Sequence, residues 1–249
     1  MAKKFYASGM QTRDKILTTS KELFYEKGFE ATLYDDICKI AQVNRALIPY
    51  HFKNKADLAL AVYDEYIDGY VQTRNYLYEE YSAEEKLVFG ILYYYRLLEN
   101  ENVGRFVYYI ISENSYRERL LLGESVMYKK VIPSNKKISK DKWDMIVHMI
   151  WAMEAENCKM IYRKQYEDIH DAGKVMIQMI LEYFGYTPQK IGQILKKEHR
   201  ILDQYEYTVN KDFTIEVRDK ESKELIVSSK MLLEKEKEEE KEQEEKEVK

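Results

Sequence analysis

Apolar residues return at helical spacing along most of this chain. Ile16, Leu17, Ser20, Leu23 and Phe24 share one face of a helix over residues 12–27, with Thr12 as its N-cap and Gly28 just past its end. A second helix starts after Thr32. Asp35, three residues on, makes a capping-box-like pair with it, and Ile37, Ile40 and Ala41 form the inner face. A break at Gln42 and Val43 leads to a third helix, with Asn44 as N-cap and residues 46–51 as its body. Asn54 and Asp57 mark a fourth start. Further helices are expected near 55–80, 84–99, 103–112, 115–130, 139–165, 170–185 and 188–203. Pro133 and Pro188 stand at breaks, and Ser139 and Thr187 are start signals.

The period changes after Leu202. Residues 205–209, 213–218 and 224–229 favour strands, and Phe213, Ile215 and Val217 alternate with polar residues. Residues 219–222 read as a turn, so 205–230 is expected to form a small β-hairpin extension. From Met231 onward Glu and Lys dominate, with no apolar face after Leu233. Residues 231–249 are expected to be a solvated helix or a disordered tail.

Composition supports an all-α class. Three prolines and nine glycines in 249 residues are too few for the turns of an all-β fold. There are 23 tyrosines against eight phenylalanines, so a core or a semi-polar pocket can be built from rings that carry a hydroxyl. The net charge of −4 hides a gradient: residues 1–55 carry ten Lys/Arg and six Asp/Glu, and residues 230–249 carry six Lys and nine Glu. A basic head with an acidic tail suits nucleic acid better than the average does. Residues 1–13 contain no apolar core of a signal peptide, and the apolar stretches 87–95 and 145–155 are short for a membrane span, so a cytoplasmic protein with no membrane partner is expected. Cys38 and Cys158 read as small buried hydrophobes in a reducing compartment. There is no Gly-x-Ser-x-Gly, no phosphate-binding Gly loop and no His-Glu-x-x-His. His148, His170 and His199 lack a clear partner spacing; only Glu167 and Asp168 near His170 hint at a metal. No catalytic residue, metal ligand or cofactor is assigned, and no enzyme is expected.

Three short helices with a tight break before the last fit a helix-turn-helix unit, although a generic helical hairpin fits the periodicity as well. The residues themselves decide between them. The string Thr12-Arg13-x-x-Ile16-Leu17, then Leu23-Phe24, Gly28-Phe29, Thr32 and Ile37, followed by Val43, Ile48-x-Tyr50-His51-Phe52-Lys53-Asn54-Lys55 and Leu58, resembles the head of the tetracycline-repressor (TetR) family. The resemblance covers about 47 residues in order and does not extend into the later sequence. It implies that Thr32 and Tyr34 touch phosphate and that Asn44, Arg45, Ala46 and Leu47 face the DNA. Arg45 would read guanine and Leu47 a thymine methyl. Tyr50 and His51 would bind the backbone, and Lys55 would place its charge at a phosphate. Two residues depart from the family pattern. Gln42 stands where glycine is usual, and a positive φ there would cost about 1 kcal/mol. Pro49 replaces a common tyrosine, so the recognition helix is expected to be short or bent.

By order, the resemblance makes 139–165 and 170–185 the dimer-forming pair. Trp143, Ile146, Ile150, Met153, Ile161, Met176, Met179, Ile180 and Tyr183 are the interface candidates, with intramolecular core as the alternative. The middle helices would hold an effector pocket lined by Tyr93, Tyr94, Phe106, Tyr109, Tyr116, Met127, Met149 and Trp151. A cationic ligand follows if Glu154 or Glu156 faces that cavity. The expected organisation is a DNA-binding head at 1–55 and a ligand-binding and dimerisation domain at 56–204, followed by the extension and tail. The implied protein is a homodimeric repressor released from a near-palindromic double-stranded DNA operator by an unknown small-molecule effector. The alternative is a family-like adaptor working through protein contacts of its body and C-terminal extension, which deletion of 205–249 would separate from a repressor.

Overall fold

The computed structural model describes residues 2–112, 128–133 and 136–247. The head comprises α1 (Ala2–Ala31), α2 (Tyr34–Ala41) and α3 (Leu47–Phe52). Gly28 takes φ 81° and ψ 170° inside α1, so the helix proper ends there, as its place in the sequence suggests. The helix begins far upstream of Thr12, which is an interior position and not a cap: nothing between Ala2 and Thr12 breaks a helix. At the start of α2 the cap is Leu33, whose N–H donates to the Asp36 carboxylate at 3.5 Å. Thr32 instead turns back and donates to the Gly28 carbonyl at 2.7 Å, closing the end of α1.

The body is α4 (Lys55–Leu77), α5 (Ala83–Leu98), α6 (Glu101–Ser112), α7 (Lys140–Tyr162), α8 (Ile169–Phe184) and α9 (Pro188–Leu202). The helix expected near 115–130 lies almost wholly outside the described residues. Starts follow side-chain chemistry. Asn54, Ser139 and Thr187 each accept a backbone N–H from three residues on, as anticipated, and Ser82 and Glu85 form a full capping box for α5. The core is rich in tyrosine, and some of its hydroxyls are paired: Tyr70 donates to the Gly90 carbonyl at 2.9 Å, and the Tyr93 and Thr73 hydroxyls lie 2.9 Å apart, whereas those of Tyr66, Tyr78 and Tyr207 are buried with no hydrogen-bond partner among the described residues. Among the described residues no helix is long and apolar enough to cross a membrane.

The extension is more than a hairpin. Strands β1 (Tyr205–Val209), β2 (Ile215–Asp219) and β3 (Leu225–Ser228) make an antiparallel meander in that order, with Tyr207 opposite Val217 and Val217 opposite Val227. Its inner face belongs to the common core: Ile215 and Val217 are fully buried. The Phe213 ring packs against Tyr25 of α1, Tyr66 of α4 and Phe106 of α6, with centroids 5.8, 5.8 and 4.9 Å away. Tyr25 donates its hydroxyl to the Val209 carbonyl at 3.1 Å, tying head to sheet. Helix α10 (Ser229–Glu247) then docks on α4 at Gly69, where a Cβ would come within 3.0 Å of Ser229 Cβ. The Ser229 hydroxyl accepts the Ile215 N–H at 2.9 Å. Beyond Leu233 the described side chains of α10 are exposed.

Candidate nucleic-acid interface and effector cavity

The turn between α2 and α3 is built on Gln42, which takes the left-handed conformation (φ 55°, ψ 47°) expected at the usual glycine position. The Val43 N–H donates to the Cys38 carbonyl at 3.1 Å, and Asn44 Oδ1 accepts the Ala46 N–H at 2.9 Å. Helix α3 is short, six residues, but Pro49 is its third residue. The N–H groups of a first helical turn have no intrahelical acceptor, so the missing donor is harmless there. Ile48 and Phe52 anchor α3 inward. Asn44, Arg45, Ala46 and Tyr50 are exposed, Tyr50 by 79%, while Leu47 and His51 are half-buried. Arg45 donates to Asp35 at 2.7 Å, and its guanidinium lies 5.7 Å from the Tyr34 ring centroid. Burial raises the Tyr34 phenol above its ordinary pKa. The Arg45–Asp35 pair is largely exposed, so exchanging Asp35 for a base edge costs about 1 kcal/mol or less.

Two residues expected at phosphates make contacts within the head. Thr32 is fully buried, with its hydroxyl committed to the Gly28 carbonyl. The Lys55 ammonium donates to the carbonyls of Phe29 and Thr32, both at 2.9 Å, and approaches that of Glu30 at 3.5 Å. It also sits 4.3 Å from the Phe29 ring centroid, and desolvation lowers its pKa. Lys55 therefore caps the loose carbonyls at the end of α1. Ile40, expected inside, is 57% exposed, because Ile37 and Ala41 already fill the inner face of this eight-residue helix.

A cavity of about 590 Å³ opens between α4, α5 and α7. Helix α4 contributes Tyr63, Ile67, Tyr70 and Arg74, at i, i+4, i+7 and i+11; α5 contributes Lys86, Leu87, Ile91 and Tyr94; α7 contributes Trp151, Glu154 and Cys158. The Tyr63 and Tyr94 hydroxyls meet at 3.3 Å, and Glu154 accepts a hydrogen bond from the Tyr128 hydroxyl. Of the expected lining, Tyr94 and Trp151 are present. Tyr93 faces the other side of α5, toward Thr73 and Tyr207. Phe106 stacks with Phe24 in the core, and Tyr109 stacks on Phe29 at 3.6 Å. Met149 is 62% exposed on the outside of α7. Tyr116 and Met127 lie outside the described residues. The α4 stripe was missed, although its spacing marks one helix face.

The proposed dimer surface also changes. Trp143, Ile150, Ile161, Met176 and Ile180 are buried against their own chain. Ile146 and Met153 are half-buried, and Met179 and Tyr183 are exposed. The outward stripe is Met145 and Met149 on α7 with Val175, Met179 and Tyr183 on α8, between 43% and 65% exposed.

A left-handed turn, a short exposed helix backed by two others and a hollow helical body define a helix-turn-helix protein with a ligand-sized cavity. Residues 16–62 match the family described as bacterial regulatory proteins, tetR family. It is 33% identical over 129 residues to the probable HTH-type transcriptional regulator YttP of Bacillus subtilis (strain 168), covering 49% of this chain and 61% of that protein. It is 40% identical over 53 residues to the HTH-type transcriptional regulator QacR of Staphylococcus aureus (strain Mu50), 21% of this chain and 28% of that one. The chain thus spans about three fifths or less of these relatives. The fold is shared with RolR solved with resorcinol (TM-score 0.58, 13% identity, 77% of this chain and 96% of that one). It is also shared with SmeT, the repressor of the Stenotrophomonas maltophilia multidrug efflux pump SmeDEF (TM-score 0.51, 15% identity, 70% and 91%).

Proposed function

We propose that this chain is a DNA-binding transcriptional repressor that holds a near-palindromic operator as a homodimer and is released when a small molecule fills the cavity. The observation that carries the reading is the exposed rim of α3, Asn44 to Ala46 with Tyr50, set rigidly on a head whose residues 16–62 match the tetR family. The outward Met and Tyr stripe of α7 and α8 supplies the dimer face. Helix α4 links the two ends, because it starts at Lys55 under the head and reaches the cavity wall at Arg74. From α6, Arg105 donates to the Tyr25 and Glu26 carbonyls of α1 at 2.8 and 3.0 Å, a second rigid connection. A ligand that shifts α4 would change the spacing of the two heads, so ligand and DNA weaken each other's binding equally. The reading places the protein in the cytoplasm and gives it no catalytic step. The test is footprinting on DNA upstream of its own and neighbouring genes. A protected near-palindrome is expected, and Arg45→Ala should cost about 1–3 kcal/mol of specific affinity while relaxing the preference at one base pair. Absence of any protected palindrome would refute the repressor.

A further inference from the structure

The cavity has a polar end and an apolar length. Helices α4 and α5 run antiparallel along it: the Tyr63 hydroxyl meets that of Tyr94, and further along Tyr70 donates to the Gly90 carbonyl. Arg74 and Lys86 therefore fall at the same end; Lys130 also lines the cavity, and the carbonyl of its neighbour Val131 accepts from Tyr186, which lies near Glu84 at the start of α5. The rise along α4 from Tyr63 to Arg74 is about 16 Å. Between the ends the wall is Ile67, Leu87, Ile91 and Trp151.

Arg74 is held in place by its surroundings. Its guanidinium lies 5.5 Å from the Tyr70 ring centroid and donates to Asn75 Oδ1 at 3.0 Å. Its stem crosses α5 at Gly90, where a Cβ would come within 3.0 Å of Arg74 Cδ and 3.1 Å of the Tyr70 hydroxyl. A Cβ there would press on both side chains, so glycine leaves that path open. Among the described lining residues three cations, Arg74, Lys86 and Lys130, stand with one carboxylate, Glu154, which accepts the Tyr128 hydroxyl. Within that set a cationic ligand would meet more positive than negative charge. A planar guanidinium fork is suited to a carboxylate or a phosphate.

We propose that the cavity takes an amphipathic anion: an apolar body laid along α4 and α5, and one carboxylate or phosphate head on Arg74 with Lys86 and Lys130. This rests on the reading of the cavity as the effector site and names the chemistry of the effector. The test titrates the full chain by calorimetry with three probes of equal tail length: dodecanoate, dodecyl phosphate and dodecyltrimethylammonium. An anion is expected to bind one per chain, at least roughly tenfold more tightly than the cation, and Arg74→Gln to weaken it roughly tenfold. The better of the two anions identifies the head group. Lys86 and Lys130 are exposed, so the double variant Lys86→Gln/Lys130→Gln keeps its fold and should also lose anion affinity, whatever Arg74→Gln does to stability. Equal or tighter binding of the cation, no binding of either anion, or undiminished anion affinity in the folded variants would overturn the proposal. A gel shift with operator DNA separates the two readings. An anion that binds without releasing DNA leaves the anion site standing and defeats ligand-released repression, whereas release by the cation alone does the reverse.

Discussion

Lys55 and Glu198 show how burial reassigns a charged side chain. Lys55 belongs to a motif whose lysine suggests a phosphate contact, yet its ammonium spends its donors on carbonyls at the end of α1. Lys55→Gln is therefore expected to destabilise the head by about 1 kcal/mol, since part-buried carbonyls lose their charged donor. In variants kept folded, the slope of log affinity against log salt should match the parent; a true phosphate contact would lower the slope by about one. Glu198 on α9 is almost entirely buried, and its Oε1 finds no hydrogen-bond partner among the described residues. Burial, with the nearby Asp203 charge, raises its pKa to about 8, against the partial relief of Lys174 and Arg96. The folded state thus holds this proton more tightly than the unfolded one. The stability it confers is complete below about 4.5 and is lost as the pH climbs to about 8. Each pH unit in that window removes up to about 1.4 kcal/mol. Urea unfolding across the window should show this decline, and Glu198→Gln should flatten it.

At the scale of elements, the caps and turns were legible because they are local chemistry. Asn54, Ser139 and Thr187 start their helices, and Gln42 turns left-handed where the pattern asks for glycine. Thr12 misled because a capping residue type says nothing about whether the helix before it has ended. The C-terminal extension misled differently. Alternation identified strands, but only packing shows that Phe213, Ile215 and Val217 complete the core beneath the head. Deletion of 205–249 therefore cannot separate a repressor from an adaptor, since it strips the core. Such a chain is expected to lose its cooperative thermal transition. Removal of 234–249, where the described side chains of α10 are solvated, should leave stability within about 0.5 kcal/mol, as read by circular dichroism.

For the whole molecule the decisive features are two faces of one helix pair. Helix α7 is apolar on both sides: Trp143, Val147, Ile150 and Cys158 turn inward, while Met145 and Met149 turn out beside Val175, Met179 and Tyr183 of α8. Met179→Glu, at an exposed position, should leave the monomer folded. It is expected to shift sedimentation from dimer to monomer and to weaken operator binding with it. An unchanged dimer would move the interface elsewhere.

The sequence alone determined the helical class, the three-helix head, the left-handed residue of its turn and most helix starts, because each rests on contacts within a few residues. Tertiary structure decided which side of α7 and α8 is core, which tyrosines of α5 line the cavity, and that Thr32 and Lys55 hold the head together. Periodicity supplies the angle of a side chain about its own helix. What lies at that angle, whether water, a neighbouring helix or an empty cavity, is set by segments distant in the chain, and neighbouring tyrosines such as Tyr93 and Tyr94 are sent to opposite fates by about 100° of helical rotation.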